Sequence, residues 1–294
     1  MRNSVFTSRD VTSYYQSSQW LYRLFCYKDK TLGMHYGFWE PGTMDRQQAI
    51  ANENDAIISH GCITRQSRVL DAGCGIGGTV LHIAKQTGAR VTGITLDPKQ
   101  VILATLYAQE AGDGHLAEFF VMDYKKMSFP SGCFDVVYAI ESICYAKNKP
   151  VFLTEAYRIL TPGGSLVIAD GYAARFPKTP EEQIVRRDLE WGFCLPPVIN
   201  GEAMTKEVQA AGFINVQKIL KTHQTWPSVK YFGRLASVVK PFAKVLSLIP
   251  MAHIQAIYRN AVALRAVMRS YELGIGMYAV HVGNKPGRQR GTGR

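Results

Sequence analysis

The sequence predicts an α/β fold: a doubly wound, mostly parallel sheet whose last strand is antiparallel, with a mainly helical cap. A short apolar stretch at residues 68–72 runs into a glycine-rich turn and then into a helical pattern. Four more short apolar stretches alternate with helical patterns as far as residue 170, the spacing expected of parallel strands joined by crossover helices. The composition, 47% apolar and 19% charged over 294 residues, indicates a globular chain that can bury a sizeable core.

The predicted strands are short and rich in apolar residues. They occupy residues 68–72, 90–95, 117–121 and 134–140, a fifth strand ending at Asp170, and two later strands at 213–220 and 276–282. A helix over 202–211 precedes the sixth strand and ends at Gly212, a residue typical of a helix C-terminus. Asp97 is expected to cap the helix that follows the second strand.

The pattern divides the chain into a core and the pieces that cap it. In chain order these are a helical cap segment (1–60), a core (61–170), a cap insertion (171–200), a core continuation (201–224), a basic helical insertion (225–273), the last core strand (274–284) and a disordered basic tail (285–294). We expect the cap to cover the carboxyl ends of the strands, where open α/β sheets bind their ligands.

Two parts of the cap have specific expectations. Residues 171–200 hold a Pro196-Pro197 pair and read as an irregular stretch. In the basic insertion Pro227, Pro241 and Pro250 each precede an amphipathic stretch, so each is expected to lie in the first turn of a helix.

The glycine-rich turn carries most of the functional information. Gly73, Gly75 and Gly78 satisfy G-x-G-x-x-G, so on spacing alone a dinucleotide site is an alternative. Asp71, two residues before the first glycine, separates the two possibilities. Its carboxylate can receive the ammonium of a cofactor that carries an amino acid, whereas it would repel a pyrophosphate.

Five motifs in order then identify a family resemblance. They are V-L-D-A-G-C-G-I-G-G at 69–78, V-T-G-I-T-L-D-P-K-Q at 91–100, Met122-Asp123, F-D-V-V-Y-A-I at 134–140 and Y-R-I-L-T-P-G-G-S-L-V-I-A-D at 157–170. Over roughly residues 68–170 the chain resembles the Rossmann-like class I methyltransferases that use S-adenosylmethionine (SAM). The second motif and H-Y-G-F-W-E at 35–40 are similar to the tocopherol, sterol and cyclopropane-fatty-acid methyltransferase group.

This resemblance implies a set of cofactor residues. Gly73, Gly75 and Gly77 would hold the methionine moiety, with Asp71 near its ammonium. Thr95, Leu96 and Gln100 would face the ribose, and Asp123 and Tyr124 would border the adenine. Ile140 would touch the cofactor, and the loop with Met34 and His35 would lie near the SAM carboxylate. The aromatic residues of that loop could equally anchor the N-terminal helices.

The segment A-I-E-S-I-C-Y at 139–145 bears on the type of reaction. Glu141 could capture a proton, steady a developing positive charge or hydrogen-bond a cap residue. Related O-methyltransferases of sugars and natural products have a histidine pair where this chain has Cys144-Tyr145, so the usual base for a hydroxyl acceptor is missing. Asp170 matches their acidic partner, although a structural role at the end of the strand is equally open.

A carbon acceptor therefore fits better. Methylating an alkene or an electron-rich ring creates a cation, which aromatic faces and a carboxylate stabilise. We take Glu141, Tyr145 and Asp170 as candidate catalytic residues. Candidate acceptor-binding residues are the aromatics of the cap: Tyr14, Tyr15, Trp20, Trp191, Phe193, Tyr231 and Phe232.

The sequence thus favours a SAM-dependent methyltransferase that methylates carbon on a lipophilic small molecule such as a terpenoid, a sterol, a prenylated ring or a similar natural product. One alternative keeps the fold but methylates oxygen or nitrogen of a natural product or sugar-bearing metabolite, with Asp170 or Tyr145 assisting. The other is a SAM-binding protein without turnover.

The positive charge is concentrated at one end of the chain. Residues 218–294 hold thirteen Lys or Arg and one acidic residue, Glu272, whereas the whole chain carries +11. The basic helices at about 228–270 could be a solvated face, a peripheral contact with a membrane, or a site for an anionic acceptor such as a prenyl diphosphate. We expect no nucleic-acid partner, because no base-methylation motif or nucleic-acid module is present.

Localisation and metal content follow from the remaining features. The six cysteines are widely spaced with no metal-ligand pattern, so we expect free thiols, no metal and a cytoplasmic chain, with peripheral membrane contact as the alternative left open. The first residues lack the apolar core of a signal peptide, and no stretch of 18 apolar residues occurs. The sequence does not predict an oligomeric state.

Overall fold

The computed structural model describes residues 6–25, 31–112, 114–249 and 251–287. Its helices are α1 (Ser8–Phe25), α2 (Arg46–Gly61), α3 (Gly78–Thr87), α4 (Pro98–Ala111), α5 (Lys149–Ile159), α6 (Pro180–Gly192), α7 (Gly201–Ala210), α8 (Thr222–Leu246) and α9 (Ala252–Glu272), with a 3₁₀ turn at Ile143–Tyr145. Its strands are β1 (Arg68–Ala72), β2 (Arg90–Thr95), β3 (Ala117–Val121), β4 (Phe134–Ile140), β5 (Leu160–Ala173), β6 (Ile214–Leu220) and β7 (Gly276–Asn284).

The strands form one seven-stranded sheet in the order β3-β2-β1-β4-β5-β7-β6. Strands β1 to β5 pair in parallel, and β7 lies antiparallel to both β5 and β6. The register places Asp71 of β1 beside Gly93 of β2 and Tyr138 of β4. The carboxyl ends of these strands therefore meet at one edge of the sheet, beside the glycine-rich turn. The predicted fold class is confirmed, and the first four strands have the predicted bounds.

Apolar side chains on both faces of the sheet form the core. On one face the fully buried Leu70, Val137 and Ile168 pack with Phe152 and Leu153 of α5. On the other face Val69, Tyr138 and Val167 pack with Val80 and Ile83 of α3. Burial on both faces is what a parallel sheet requires, and it explains the nearly continuous apolar runs of β1 and β4.

The helices begin where polar side chains can satisfy their first N–H groups. Asp45 accepts from Gln48 N at 2.8 Å and starts α2, and Asp97 accepts from Lys99 N at 3.0 Å and starts α4, as predicted. Thr179 starts α6 with a complete capping box, in which Glu182 bonds back to the Thr179 amide. The expectation of an irregular stretch at 171–200 is therefore wrong, because T-P-E-E at 179–182 is a helix start that outweighs the later proline pair.

The basic insertion also differs from the prediction. Helix α8 begins at Thr222 and is continuous, with Pro227 and Pro241 inside it, so the expectation that each of these prolines lies in the first turn of a helix is wrong. Packing against α9 sustains α8 across the proline: a Cβ on Gly233 would lie 2.4 Å from Cβ of Met268, so the two backbones are close. Pro250 lies outside the described residues.

The remaining bounds differ in smaller ways. Strand β5 continues past Asp170 to Ala173, because β7 pairs with it over its whole second half. Lys285, assigned above to the disordered tail, is held in place by donating from Nζ to the carbonyls of Tyr157 and Leu160, each at 2.7 Å. Within the described part of the chain, no helix combines the length and apolar character needed to cross a bilayer.

Candidate active site

A cavity of about 580 Å³ opens at the carboxyl ends of the central strands. The glycine-rich turn and the ends of β2, β4 and β5 form its floor. Residues 32–36 and helices α1, α8 and α9 roof it, so the cap lies where the sequence predicted.

The glycine-rich turn has a backbone that only glycine adopts without strain. Gly73, Gly75 and Gly77 have φ of 116°, 55° and 87°. A Cβ on Gly73 would lie 2.4 Å from Cβ of Ser142, so the turn packs directly against the segment after β4. The N–H groups of Gly73 and Cys74 donate to the carbonyl of Ile94 at 3.0 Å each, and are therefore not free to meet a ligand.

Two predicted contacts of this turn have different outcomes. Met34 lies over Gly75, with its Cε 3.3 Å from where a Cβ would stand, and both residues line the cavity. Gly77 does not line it. It is the N-cap of α3 and packs under Phe119, so its role is to turn the chain into the helix.

Asp71 is a buried carboxylate on the cavity wall. Its side chain is 4% exposed, and Oδ2 accepts a hydrogen bond from Tyr138 OH at 2.8 Å. Burial raises the pKa of Asp71 to about 7, against the smaller opposing effect of that hydrogen bond. A cation bound in the cavity would return this group to its ionised form, so the site fits the ammonium of an amino acid.

The end of β2 presents the predicted polar group. Thr95 Oγ1 donates to Gln100 Oε1 at 2.6 Å, and both residues line the cavity beside Leu96. Asp97 accepts from Gln16 Nε2 of α1 at 3.3 Å, which ties the cap to this corner. Such a corner offers hydroxyl and amide partners of the kind that a ribose requires.

The predicted adenine border is only partly formed. Tyr124 lines the cavity, where its hydroxyl lies 3.3 Å from the carbonyl of Ser142 and its ring meets Phe152 edge to face. Burial raises the pKa of Tyr124 well above its usual value, so it is a neutral phenol. Asp123 does not line the cavity. Its carboxylate accepts from the Lys125 amide and pairs with Lys125 Nζ at 3.2 Å.

Glu141 lies on the cavity wall directly after β4, in a left-handed backbone conformation (φ 46°) that is costly for a residue with a side chain. Its Oε1 accepts from the backbone N–H of Tyr36 at 3.0 Å and lies 3.2 Å from Tyr278 OH. Burial and the nearby negative charge of Glu53 raise the pKa of Glu141 well above its usual value. The role as a hydrogen-bond acceptor for a cap residue is thus realised.

Glu53 and Tyr278 are site residues that the sequence reasoning missed. Glu53 is fully buried, and its Oε2 lies 2.7 Å from Nδ1 of His35, which lines the cavity as predicted. A signal for Glu53 was available: it occupies a position on the apolar face of α2, in helical register with Ile50 and Ile57. A charged residue on such a face requires a buried partner.

Asp170 lines the cavity but also organises the loop above it. Its Oδ2 accepts from Cys144 N at 2.7 Å and its Oδ1 from Gly171 N at 2.8 Å, and burial raises its pKa to about 6. Lys149, also unforeseen, donates to the carbonyls of Cys144 and Ala146. These contacts fix the loop that carries Glu141. Tyr145 lines the cavity and meets Tyr15 edge to face, with ring centres 5.6 Å apart.

The predicted acceptor-binding aromatics divide into two groups. Tyr15, Phe193 and Phe232 line the cavity, as does Ile140 among the cofactor residues. Trp20 belongs to α1, but its side chain lies outside the part of the structure that is described.

The other three aromatics do not line the cavity, so their predicted role in binding the acceptor is wrong. Tyr14 is buried between α1 and α9, where its hydroxyl donates to Oδ1 of Asn260 at 2.7 Å. Trp191 packs beneath the guanidinium of Arg259 at the outer surface of α6. Tyr231 is 62% exposed and faces away from the cavity. Helical periodicity could not tell which face of each helix would meet the cavity.

The outer part of the cavity is an apolar chamber. It is lined mainly by aliphatic side chains that were not foreseen: Leu189, Leu195, Val198, Ile199, Met204, Leu235, Val239, Ile257, Leu264, Val267, Ile275 and Met277. They come from segments of the cap and the sheet that are far apart in sequence, so no local sequence pattern predicts that they line one chamber.

Comparison with known proteins agrees with this geometry. Residues 70–168 match the family model described as Methyltransferase domain. The chain is 33% identical over 167 residues to the sterol 24-C-methyltransferase of Eremothecium gossypii, covering 56% of this chain and 45% of that one. It is 37% identical over 154 residues to the 2-methyl-6-phytyl-1,4-hydroquinone methyltransferase of Synechocystis sp., covering 51% and 47%.

The chain thus spans about half the length of these curated relatives. Over almost its whole length it also superposes on the cyclopropane synthase of Mycobacterium tuberculosis, with a TM-score of 0.79, 17% identity and coverage of 96% of this chain and 100% of that one. The class I methyltransferase fold is confirmed, and residues 70–168 are the part of it that matches the methyltransferase-domain model.

Proposed function

From the methyltransferase domain at residues 70–168, we propose that the chain is a SAM-dependent methyltransferase that methylates a carbon atom of a lipophilic small molecule. One observation carries the proposal. A single cavity joins a glycine-rich turn and a buried carboxylate, Asp71, to a chamber walled by aliphatic side chains.

The residues at the inner end fit the cofactor. Asp71 would pair with its ammonium, and Thr95 and Gln100 would meet the ribose hydroxyls. Tyr124 would border the adenine, and Met34 would cover the methionine moiety above Gly75. Bound there, SAM supplies an activated methyl group on a positively charged sulfur atom.

The protein's own contribution is alignment, exclusion of water and management of charge. The apolar chamber orients the acceptor and keeps water from the developing cation. Glu141 faces the chamber beside the glycine-rich turn, where a carboxylate stabilises that cation and receives the proton that the acceptor loses. Tyr15 and Phe232 offer aromatic faces to the same space.

A carbon acceptor is favoured because the chamber that would hold it is walled mainly by aliphatic side chains, with aromatic faces and the carboxylate of Glu141 to stabilise a cation. Asp170, the candidate acidic partner for a hydroxyl acceptor, is committed to the amides of Cys144 and Gly171. The relatives support the same class of substrate, since their names refer to a sterol carbon and to a phytyl hydroquinone.

The experiment is a product analysis. The purified protein is incubated with methyl-labelled SAM and, separately, with a phytyl hydroquinone, a sterol with a side-chain alkene, and geranyl diphosphate. We expect label on carbon in at least one lipophilic product, as located by mass spectrometry and NMR. Label on oxygen or nitrogen would contradict carbon methylation, and SAM that fails to bind in calorimetry would contradict the whole proposal.

We also propose that the chain meets its acceptor at a membrane surface, which makes it a peripheral rather than a freely cytoplasmic enzyme. One face of α8 lines the cavity with Phe232, Leu235 and Val239. The last turns of α8 and the residues that follow extend past the cavity and expose apolar side chains: Val238, Phe242, Val245, Leu246, Leu248 and Ile249. Lys240 and Lys244 lie among them, and residues 225–271 contain no acidic side chain. Basic and apolar groups together suit an anionic bilayer.

A further inference from the structure

Four side chains form a continuous hydrogen-bonded line behind the cavity wall. Oε1 of Glu141 lies 3.2 Å from Tyr278 OH, which lies 2.7 Å from Oε1 of Glu53. The other oxygen of Glu53, Oε2, lies 2.7 Å from Nδ1 of His35. The line starts at Glu141 on the cavity wall and ends at His35, which also lines the cavity, and Glu53 and Tyr278 are 0% and 1% exposed.

The other hydrogen bonds of Glu53 and Tyr278 limit where a proton can lie along this line. Oε2 of Glu53 accepts from the amide of Gly37 at 2.9 Å and also lies 2.7 Å from Nδ1 of His35, which donates to it in the tautomer that carries its proton on Nδ1. Its Oε1 faces Tyr278. The tyrosine hydroxyl has one proton and two carboxylate neighbours, so it can donate to one of them at a time.

An additional proton can therefore lie at either end of the Tyr278 bridge. On Glu141 it is donated to the Tyr278 oxygen, while Tyr278 donates to Glu53. On Oε1 of Glu53 it is donated to the Tyr278 oxygen, while Tyr278 donates to Glu141. The two arrangements interconvert when both protons move along their hydrogen bonds, and neither leaves a carboxylate without a donor.

The surroundings favour holding this proton. The groups that face the pair are Asp170 of β5, Tyr271 of α9 and His35 of the loop before α2, so another carboxylate contributes negative charge. Two unpaired carboxylates beside a third would repel one another in a buried space. A cation placed in the cavity would instead favour the ionised form of both carboxylates, and so the loss of the shared proton. Ser142, the residue after Glu141, packs on Gly73, so Glu141 lies beside the glycine-rich turn.

We propose that Glu53 and Glu141 share one proton through Tyr278, that the pair would release it to solvent when a sulfonium is bound in the cavity, and that the pair would later take up the proton lost by the acceptor. The inference rests on the proposed function. In the methyl transfer the sulfur–methyl bond breaks, a carbon–carbon bond forms, and the positive charge moves to the acceptor. A C–H bond of that cation then breaks, its electron pair restores a double bond, and its proton passes to Glu141 and on to Glu53 through Tyr278. The charge in the chamber is the same before and after.

The test compares SAM with S-adenosylhomocysteine (SAH), which lacks the sulfonium. Binding is measured by calorimetry at pH 7 in buffers of different ionisation enthalpy, which gives the number of protons released. We expect SAM to release about one proton more than SAH. Glu53→Gln removes the neighbouring charge and Tyr278→Phe removes the bridge, so either variant should reduce that difference to less than about half a proton.

Asp135→Asn is the matched control, since that carboxylate pairs with Arg68 and does not line the cavity. The Asp135→Asn variant should keep the full difference in proton release between SAM and SAH. Equal proton release by SAM and SAH in the unaltered protein, or an undiminished difference in both Glu53→Gln and Tyr278→Phe, would overturn the shared proton while leaving the methyltransferase proposal standing. If neither SAM nor SAH binds, both the shared proton and the methyltransferase proposal are overturned. Circular dichroism shows whether Glu53→Gln or Tyr278→Phe folds poorly. In that case the proton release of the other variant tests the proposal.

Discussion

The backbone N–H of Tyr36 donates to Oε1 of Glu141 at 3.0 Å, although 105 residues separate them. The same N-terminal loop lies on the glycine-rich turn, since a Cβ on Gly78 would be 2.4 Å from the carbonyl oxygen of Thr31. The segment before the core thus contacts both the cofactor floor and the carboxylate that faces the acceptor. This loop therefore links the glycine-rich turn to Glu141 across the site.

Replacing Glu141 tests its place in the chemistry. Glu141→Gln keeps the acceptor atom for the Tyr36 amide but cannot receive a proton, so we expect methyl transfer to fall by about 10²–10⁴-fold. The measurement is the rate of labelled product from whichever acceptor the product analysis identifies, with SAH affinity as the check on the site. SAH should still bind within a few-fold of the original Kd.

Glu155→Gln is its control, because Glu155 pairs with Arg158 away from the cavity. Its turnover should be unchanged. Full activity in Glu141→Gln would mean that the proton leaves by another route.

Replacing Gly73 tests the close contact under the cofactor. Gly73→Ala and Gly42→Ala both place a side chain at positive φ, with φ of 116° and 87°, which costs about 1–2 kcal/mol of stability each. At Gly73 the new Cβ would also stand 2.4 Å from Cβ of Ser142, whereas at Gly42 nothing lies within 4 Å. We expect Gly73→Ala alone to weaken SAH binding, by more than about tenfold, in calorimetry. Equal Kd values of the two variants for SAH would show that the glycine-rich turn accommodates the added Cβ.

The floor of this site was predictable because its parts are local in sequence. Strand, glycine turn and helix follow one another over residues 68–87, so the placement of Asp71 and Gly75 depends on neighbours a few positions away. Likewise Asp97 caps its own helix. Such features need no knowledge of how distant segments pack.

The roof was less predictable for the opposite reason. Tyr14, Tyr15 and Trp191 have the same aromatic character, but only Tyr15 meets the cavity, because the facing of α1 and α6 is set by their packing on α9. Pro241 reads locally as a helix start, yet α8 continues through it, with Ala236 and Ala243 buried on either side of the proline. The pairing of Glu53 with Glu141 through Tyr278 joins three elements and is visible only once they are folded.

The pKa of Asp71 predicts a pH dependence of cofactor binding. Burial raises that pKa to about 7, and pairing with the ammonium of SAH requires the ionised form. Above pH 7 the carboxylate is already ionised, whereas below it the proton must be removed at a cost that grows by 1.36 kcal/mol per pH unit. The affinity for SAH should therefore fall about tenfold between pH 8 and pH 6.

Calorimetry at several pH values measures this, and SAH is the suitable ligand because it carries no sulfonium to affect Glu141. Asp71→Asn cannot titrate, so it should bind SAH weakly at every pH and show a flat profile. A pH dependence that survives in Asp71→Asn would assign the titration to another group.

The exposed face of α8 predicts binding to anionic vesicles. Phe242 and Leu248 are 70% and 83% exposed beside Lys240 and Lys244, so the bilayer can take the apolar side chains while its headgroups meet the lysines. We expect co-sedimentation with phosphatidylserine-containing vesicles that weakens as salt is added, and little with phosphatidylcholine alone. Phe242→Ser with Leu248→Ser should lower the partitioning at least about tenfold, since each side chain contributes about 1.5–3 kcal/mol when fully buried. The control exchanges Ile102 and Leu106 for serine on α4, where two apolar side chains are also exposed but no basic cluster accompanies them. If both double variants bind the vesicles as the original protein does, α8 is a solvated face and the acceptor reaches the chamber from solution.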